Sequence, residues 1–275
     1  MLTRHKVITG LLLSAALFAC ATSSSRQSTA QVLTTILAGE QRSDVNRARD
    51  VYRHPKETLL FFGIRPEMTV LEVWPEPGWY TEIIAPLLRD KGKYYAAIPP
   101  ADPASAETTK NHAAYAAKLA ARPDMYSKVN VVTLPADGGD VVPAGTIDMA
   151  VTFRNVHNFM WNGDASQTFA TLHRALKPGG LLGVVEHRGN PAVPQDPKAA
   201  SGYVNEDFAI KLIEAQGFRL VGKSQVNDNP KDTKDYPEGV WTLPPTLTLG
   251  ATDHAKYAAI GESDRFTILF EKLPR

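Results

Sequence analysis

The chain has 275 residues, 43% of them hydrophobic and 21% charged, with a formal net charge of +1 and a single cysteine. That composition excludes disordered, collagen-like and coiled-coil chains, and one cysteine excludes a disulfide scaffold. The near-neutral balance gives no electrostatic footing for a nucleic-acid partner, and the length suits one large α/β domain.

Residues 1–19 read as an export signal. Arg4, His5 and Lys6 form a basic start, and Val7 to Ala19 is an apolar run. It is too short to cross a bilayer, which takes about 20 residues, but suits a signal peptide. The run ends in Leu17-Phe18-Ala19-Cys20, which resembles the lipobox of bacterial lipoproteins. That resemblance implies an acylated Cys20, residues 20–30 as a lipid-anchored flexible tether, and a protein held at the envelope membrane facing the periplasm. The alternative is Ala19-Cys20-Ala21 as an ordinary cleavage site, which releases a soluble periplasmic or secreted protein.

A helical extension is expected over 31–64. Val32, Leu33, Ile36 and Leu37 recur at helical spacing, as do Leu59, Leu60 and Phe62, with Pro55 breaking the region in two. Strands are then expected at Thr69–Val73, Lys93–Ile98, Val129–Leu134, Ile147–Phe153, Leu181–Glu186, Phe218–Gln225 and Arg265–Glu271. Helices are expected at Trp79–Arg89, Pro103–Ala121, Ala165–Leu176 and Glu206–Gln216. Asn205 suits the start of the last helix and Gly217 its end. Alternation of this kind, with apolar strands, argues a mostly parallel sheet with helices on both faces. The polar, proline-rich stretch 227–264 has no periodicity and reads as a lid-like insertion.

Two segments carry a resemblance. Thr69-Val70-Leu71-Glu72-Val73-Trp74-Pro75-Glu76-Pro77-Gly78 is a strand, an acid and a turn ending in glycine. Leu176-Lys177-Pro178-Gly179-Gly180 is a tight turn between a helix and a buried strand. Together they resemble class I methyltransferases that use S-adenosylmethionine. Phe153-Arg154-Asn155-Val156 is similar to quinone-biosynthesis methyltransferases, and the exported form resembles a bacterial group of predicted methyltransferases. The resemblance implies a Rossmann-like seven-stranded sheet over 65–275 with its last strand antiparallel. It implies S-adenosylmethionine as cofactor, with Glu72, Trp74, Gly78 and Asp137 as binding positions; Arg154, after the fourth strand, is a candidate to receive the cofactor's carboxylate or an anionic substrate. The family's glycine pattern is incomplete here, since Trp74 and Glu76 stand where glycines are usual and only Gly78 remains.

Open α/β sheets bind ligands beyond the carboxyl ends of their strands. That edge selects His157 as candidate base, because imidazole titrates near neutrality, with His187 as competitor and Asn155 and Asn158 to orient it. Arg188 and Tyr203 are candidate substrate contacts, and Trp241 a wall residue on the lid. An Asp264–Arg265 pair is expected to pin that lid. Scattered histidines without H-E-x-x-H or paired cysteines indicate no metal site, and no serine-hydrolase or nucleotide-binding motif is present. The expected function is methyl transfer to a small-molecule acceptor at the cell envelope. The alternative is a non-catalytic envelope binding protein on the same fold.

Overall fold

The computed structural model describes residues 27–274; the signal 1–19, Cys20 and the start of the tether lie outside the described residues. The strands are β1 (Thr69–Val73), β2 (Lys93–Ile98), β3 (Val129–Thr133), β4 (Ile147–Phe153), β5 (Leu176–His187), β6 (Phe218–Ser224) and β7 (Arg265–Lys272). They form one sheet in the order β3-β2-β1-β4-β5-β7-β6. Pairs from β3 through to β5 are parallel, and β7 runs antiparallel between β5 and β6. This is the mixed seven-stranded sheet that the resemblance implies, and the mostly parallel pairing that the strand–helix alternation predicts.

The strands are apolar on both sides because helices cover both faces. Leu71 and Val73 of β1 point into one core, while Val70 points into the other. The first core is closed by α8 (Val156–Asn162), α9 (Ala165–Ala175) and α10 (Glu206–Glu214), which contribute Phe159, Phe169, Leu172 and Ile213. The second is closed by helix α1 over 27–37, α4 (Pro55–Phe62), α5 (Thr81–Leu88), α6 (Ala106–Ala121) and α7 (Pro123–Tyr126). Phe62 of α4 lies against Gly183 of β5 so closely that a Cβ there would stand 2.5 Å from its ring. Burying that ring stabilises the fold by about 2–3 kcal/mol.

Between α1 and α4 lie two short helices, α2 (Asp44–Arg47) and α3 (Asp50–Arg53). They fasten to α5 through polar contacts: Trp79 Nε1 donates to the Asn46 carbonyl (3.1 Å) and Asn46 Nδ2 to Glu82 (2.9 Å). Pro55 opens α4, and His54 before it takes the left-handed conformation that separates the two helical pieces.

Three local expectations change. Leu176 to Gly180, expected as a tight turn, is the first part of β5. Leu176 pairs with Ile147 and Leu181 with Met149, so the intervening residues bulge, with Gly179 at φ +71°. Residues 156–162 form a helix that is not among the expected ones. The insertion is also not free of regular structure: it carries a 3-10 turn over Gly239–Thr242 and a helix, α11 (His254–Ile260).

Candidate active site

The loop after β1 forms the floor of the site. Trp74 has φ +51°, the left-handed conformation usually left to glycine. It persists because both flanks hold it: the Trp74 N–H donates to the Ala97 carbonyl (2.8 Å), and its ring packs edge-on against Phe159 at 5.1 Å. Gly78 has φ +91°, and a Cβ there would meet the Lys118 side chain at 2.8 Å. The indole therefore occupies a glycine's backbone without abolishing the turn.

Glu72 is buried on the α5 side of β1, where Tyr94 Oη donates to it at 2.5 Å. Thr81 bridges Tyr94 and Tyr115 at 3.1 Å each, so the carboxyl ends a buried polar chain. Burial pushes Glu72 up to about 7, opposed by the Tyr94 hydrogen bond and by the charge of Arg154.

Two clefts open at the carboxyl edge of the sheet. The first, of about 690 Å³, lies between the loops after β1, β2, β3 and β4. It is lined by four carboxylates, Glu76, Asp102, Glu107 and Asp164, and by no lysine, arginine or histidine among the described residues. Burial raises the pKa of both Glu76 and Asp164, with His112 opposing at Glu76. One oxygen of each has no hydrogen-bond partner, nor has the Trp74 indole N–H. The second cleft, of about 300 Å³, is of opposite character, lined by Arg49, Arg53, Arg154 and Arg265 together with His157 and His187. Trp74, Glu76 and Asn155 line both and form the saddle between them.

At the second cleft β4 and β5 bring two histidines to one carboxylate. Glu186, fully buried, accepts from the backbone N–H of His157 (3.1 Å) and of His187 (2.7 Å), and stands 3.0 Å from His157 Nδ1. His187 Nδ1 is hydrogen-bonded to Ser263 Oγ, and the two rings lie 5.4 Å apart. Burial, then the charges of His157, Arg265 and Arg154, hold His187 well below the usual imidazole range. Glu186 rather than Asn155 or Asn158 orients His157. The Asn155 amide instead donates to the carbonyls of Val73 (3.0 Å) and Trp74 (3.4 Å) and fixes the β1 loop.

His157, Glu186 and His187 also offer ligand atoms within 4.8 Å of one another, a cluster that the scattered histidines of the sequence did not reveal. A divalent ion there would compete with three hydrogen bonds to Glu186 and face the charges of Arg265, Arg154 and Arg53. The donor set therefore suits proton handling better than metal binding.

The arginines are gathered by Glu262. Its carboxylate meets Arg49 Nε at 2.5 Å, Arg53 Nε at 3.5 Å and Arg265 Nη2. Burial works to raise the Glu262 pKa, and the charges of Arg265, Arg53 and Arg49 outweigh it and hold the group below the usual carboxylate range. Arg53 also lies over the Trp79 ring at 4.6 Å. Arg154, at φ +62°, makes no side-chain hydrogen bond or ion pair among the described residues. Burial, then Arg265, push it down to about 10.

Other expected positions fall elsewhere. Asp137 is exposed and caps the Gly139 N–H (2.9 Å), and it lines neither cleft; the nearby carboxylate that does is Asp164. Arg188 lines neither of these two clefts but a separate cavity of about 760 Å³ beside β6, where Glu206, Asp228 and Asp264 hold it at 3.1, 2.6 and 3.1 Å. Tyr203 donates to Asp232 inside the insertion (2.9 Å), also away from both clefts. Trp241 does line the second cleft, 6.1 Å from the His157 ring. Asp264 pins the lid through Arg188 rather than Arg265, which instead pairs with Glu262. Arg49 and Arg53 escaped sequence reasoning. Their only signal is a spacing of four on a helix, which places both on one face.

No family model matches the chain, and no curated protein does. Solved structures share its fold. An S-adenosylmethionine-dependent methyltransferase from Aquifex aeolicus is 18% identical, over 82% of this chain and 93% of that one, with a TM-score of 0.55. The cyclase SpnF is 15% identical over 86% of each chain, at 0.58. A Burkholderia thailandensis 1,6-didemethyltoxoflavin-N1-methyltransferase with bound 1,6-didemethyltoxoflavin and S-adenosylhomocysteine is 14% identical over 99% of this chain and 94% of that one, at 0.51. The architecture is thus the Rossmann-like methyltransferase fold.

Proposed function

We propose that the protein transfers a methyl group from S-adenosylmethionine to a small acceptor. The observation that carries this is the pairing of an acid-lined and an arginine-lined cleft across Trp74, Glu76 and Asn155 at the carboxyl edge of the sheet. An adenosine, rich in hydroxyl and amine donors, matches the first cleft and its unpaired acceptors on Glu76 and Asp164. The amino-acid end suits the second, where Glu72 offers a carboxylate to its ammonium and the arginine cluster a guanidinium to its carboxylate. Bound there, the cofactor supplies a methyl group on a sulfonium sulfur.

The chain's own residues supply the rest. With Nδ1 held by Glu186, His157 presents Nε2 as the nitrogen that takes the acceptor's proton. Glu186 fixes that tautomer and stabilises the imidazolium formed. Trp241, Pro244 and Pro245 of the lid keep water from the cleft. A second reading, a binding protein without catalysis, draws on Trp74 in a glycine's place.

Calorimetric titration with S-adenosylmethionine separates the two. Binding that weakens about tenfold in an Asp164→Asn or Glu76→Gln variant supports the first reading; no heat at millimolar cofactor supports the second. For the envelope location, Leu17 to Cys20 is the support. Labelled palmitate should enter the wild type and not Cys20→Ser, and a wild type without label leaves the soluble exported form.

A further inference from the structure

The second cleft gathers four arginines, and the two carboxylates that line it, Glu72 and Glu76, pair with none of them among the described residues. Glu262 is shared among Arg49, Arg53 and Arg265, and leaves Arg49 Nη2, Arg53 Nη1 and Arg265 Nε buried without partners. Arg53 and Arg265 are 3% and 2% exposed, so water does not complete them. Arg154 stands beside them with its whole guanidinium free. Incompletely paired cations are costly when buried, and a pocket that gathers two buried and two half-buried guanidiniums is built for an anion.

S-adenosylmethionine does not meet that need. Its carboxylate answers one guanidinium, while its ammonium and sulfonium add two cations, so the net charge of the cofactor is positive. Loading it alone deepens the surplus. A sulfonium beside these arginines becomes favourable once a second negative group shares the cleft.

We propose that the acceptor is itself a small anion, whose carboxylate or phosphate sits against Arg154 and Arg265 with the atom to be methylated turned to His157. This rests on the methyl-transfer reading. It implies that acceptor and cofactor reinforce each other's binding, because each lowers the charge penalty of the other. Selectivity follows as well: neutral molecules of the same shape leave Arg154 unpaired and are rejected.

Malonate and inorganic phosphate, titrated into the whole purified chain at constant ionic strength, are the probes. Calorimetry reads their binding, and then that of S-adenosylmethionine with and without malonate. The expected result is a cofactor affinity at least about fivefold higher with malonate present. Arg154→Gln should weaken malonate about tenfold or more and erase the synergy, with Arg154→Lys between the two. Because the Arg154 side chain makes no hydrogen bond or ion pair among the described residues, its variants should fold, and near-ultraviolet circular dichroism checks this. Competition between malonate and cofactor would overturn the proposal, since the arginines then serve the cofactor's own carboxylate. So would an absence of anion binding alongside normal cofactor binding, which leaves methyl transfer standing. Anion binding with no cofactor response sinks the methyl-transfer reading and the acceptor with it.

Discussion

His157 and Glu186 meet at the carboxyl ends of neighbouring strands, with Nδ1 3.0 Å from one carboxylate oxygen and the His157 N–H 3.1 Å from the other. The carboxylate thus fixes both the backbone and the ring of one residue. Such a clamp leaves imidazole one orientation and one free nitrogen.

On the proposed reading His157→Gln lowers turnover by about 10²–10⁴-fold while cofactor affinity stays within a factor of about two. Single-turnover kinetics with calorimetry measures both. Retained turnover removes His157 from the chemistry.

At position 74 the usual order of side-chain stability should reverse. Trp74→Ala loses the Phe159 contact and keeps the φ of +51°, whereas Trp74→Gly loses the contact but relieves the backbone. Glycine should therefore be more stable than alanine by about 1 kcal/mol, contrary to their order in ordinary helices and strands. Urea denaturation of both variants decides it.

Glu72 makes stability depend on pH. Its pKa, raised to about 7 by burial, means that the folded chain keeps a proton which the unfolded chain releases near the ordinary carboxyl value of 4.5. The stabilisation is complete below that lower value and is lost as pH rises through about 7. Glu72→Gln carries no such proton. Its stability relative to wild type should rise by a few kcal/mol between pH 4.5 and 8, as followed by denaturation at each pH. Parallel curves would show that folding leaves the Glu72 pKa unshifted.

Arg188 governs the lid and not the chemistry. Three carboxylates hold it, but at 22% exposure solvent screens them, so Arg188→Gln should cost only about 1–2 kcal/mol. Limited proteolysis should then cut within 227–264 faster than in wild type, with cleavage elsewhere unchanged.

Much of the architecture was legible because buried strands announce themselves. Val70, Leu71 and Val73, or Met149 to Val151, are apolar on successive residues, which only a sheet covered on both faces explains. Glu72, His157 and Arg154 were legible as well, since they follow or end such strands. The partners were not. Nothing adjacent to Arg49 or Arg53 in sequence points to Glu262, more than two hundred positions away. A tryptophan does not advertise a glycine's backbone, and Asp137 looked suitable until its carboxylate turned onto its own loop. Long-range pairing and side-chain direction were what the sequence withheld.

Glu262 has one more effect, on timing. Arg49 and Arg53 are made early and the final strand last, and a single carboxylate joins them. During synthesis a chain stalled before residue 262 lacks the one carboxylate that Arg49 and Arg53 share. The cradle becomes competent only when its last-made portion arrives, so a fragment lacking that end should neither seat a ligand nor hold its amino-terminal helices in place.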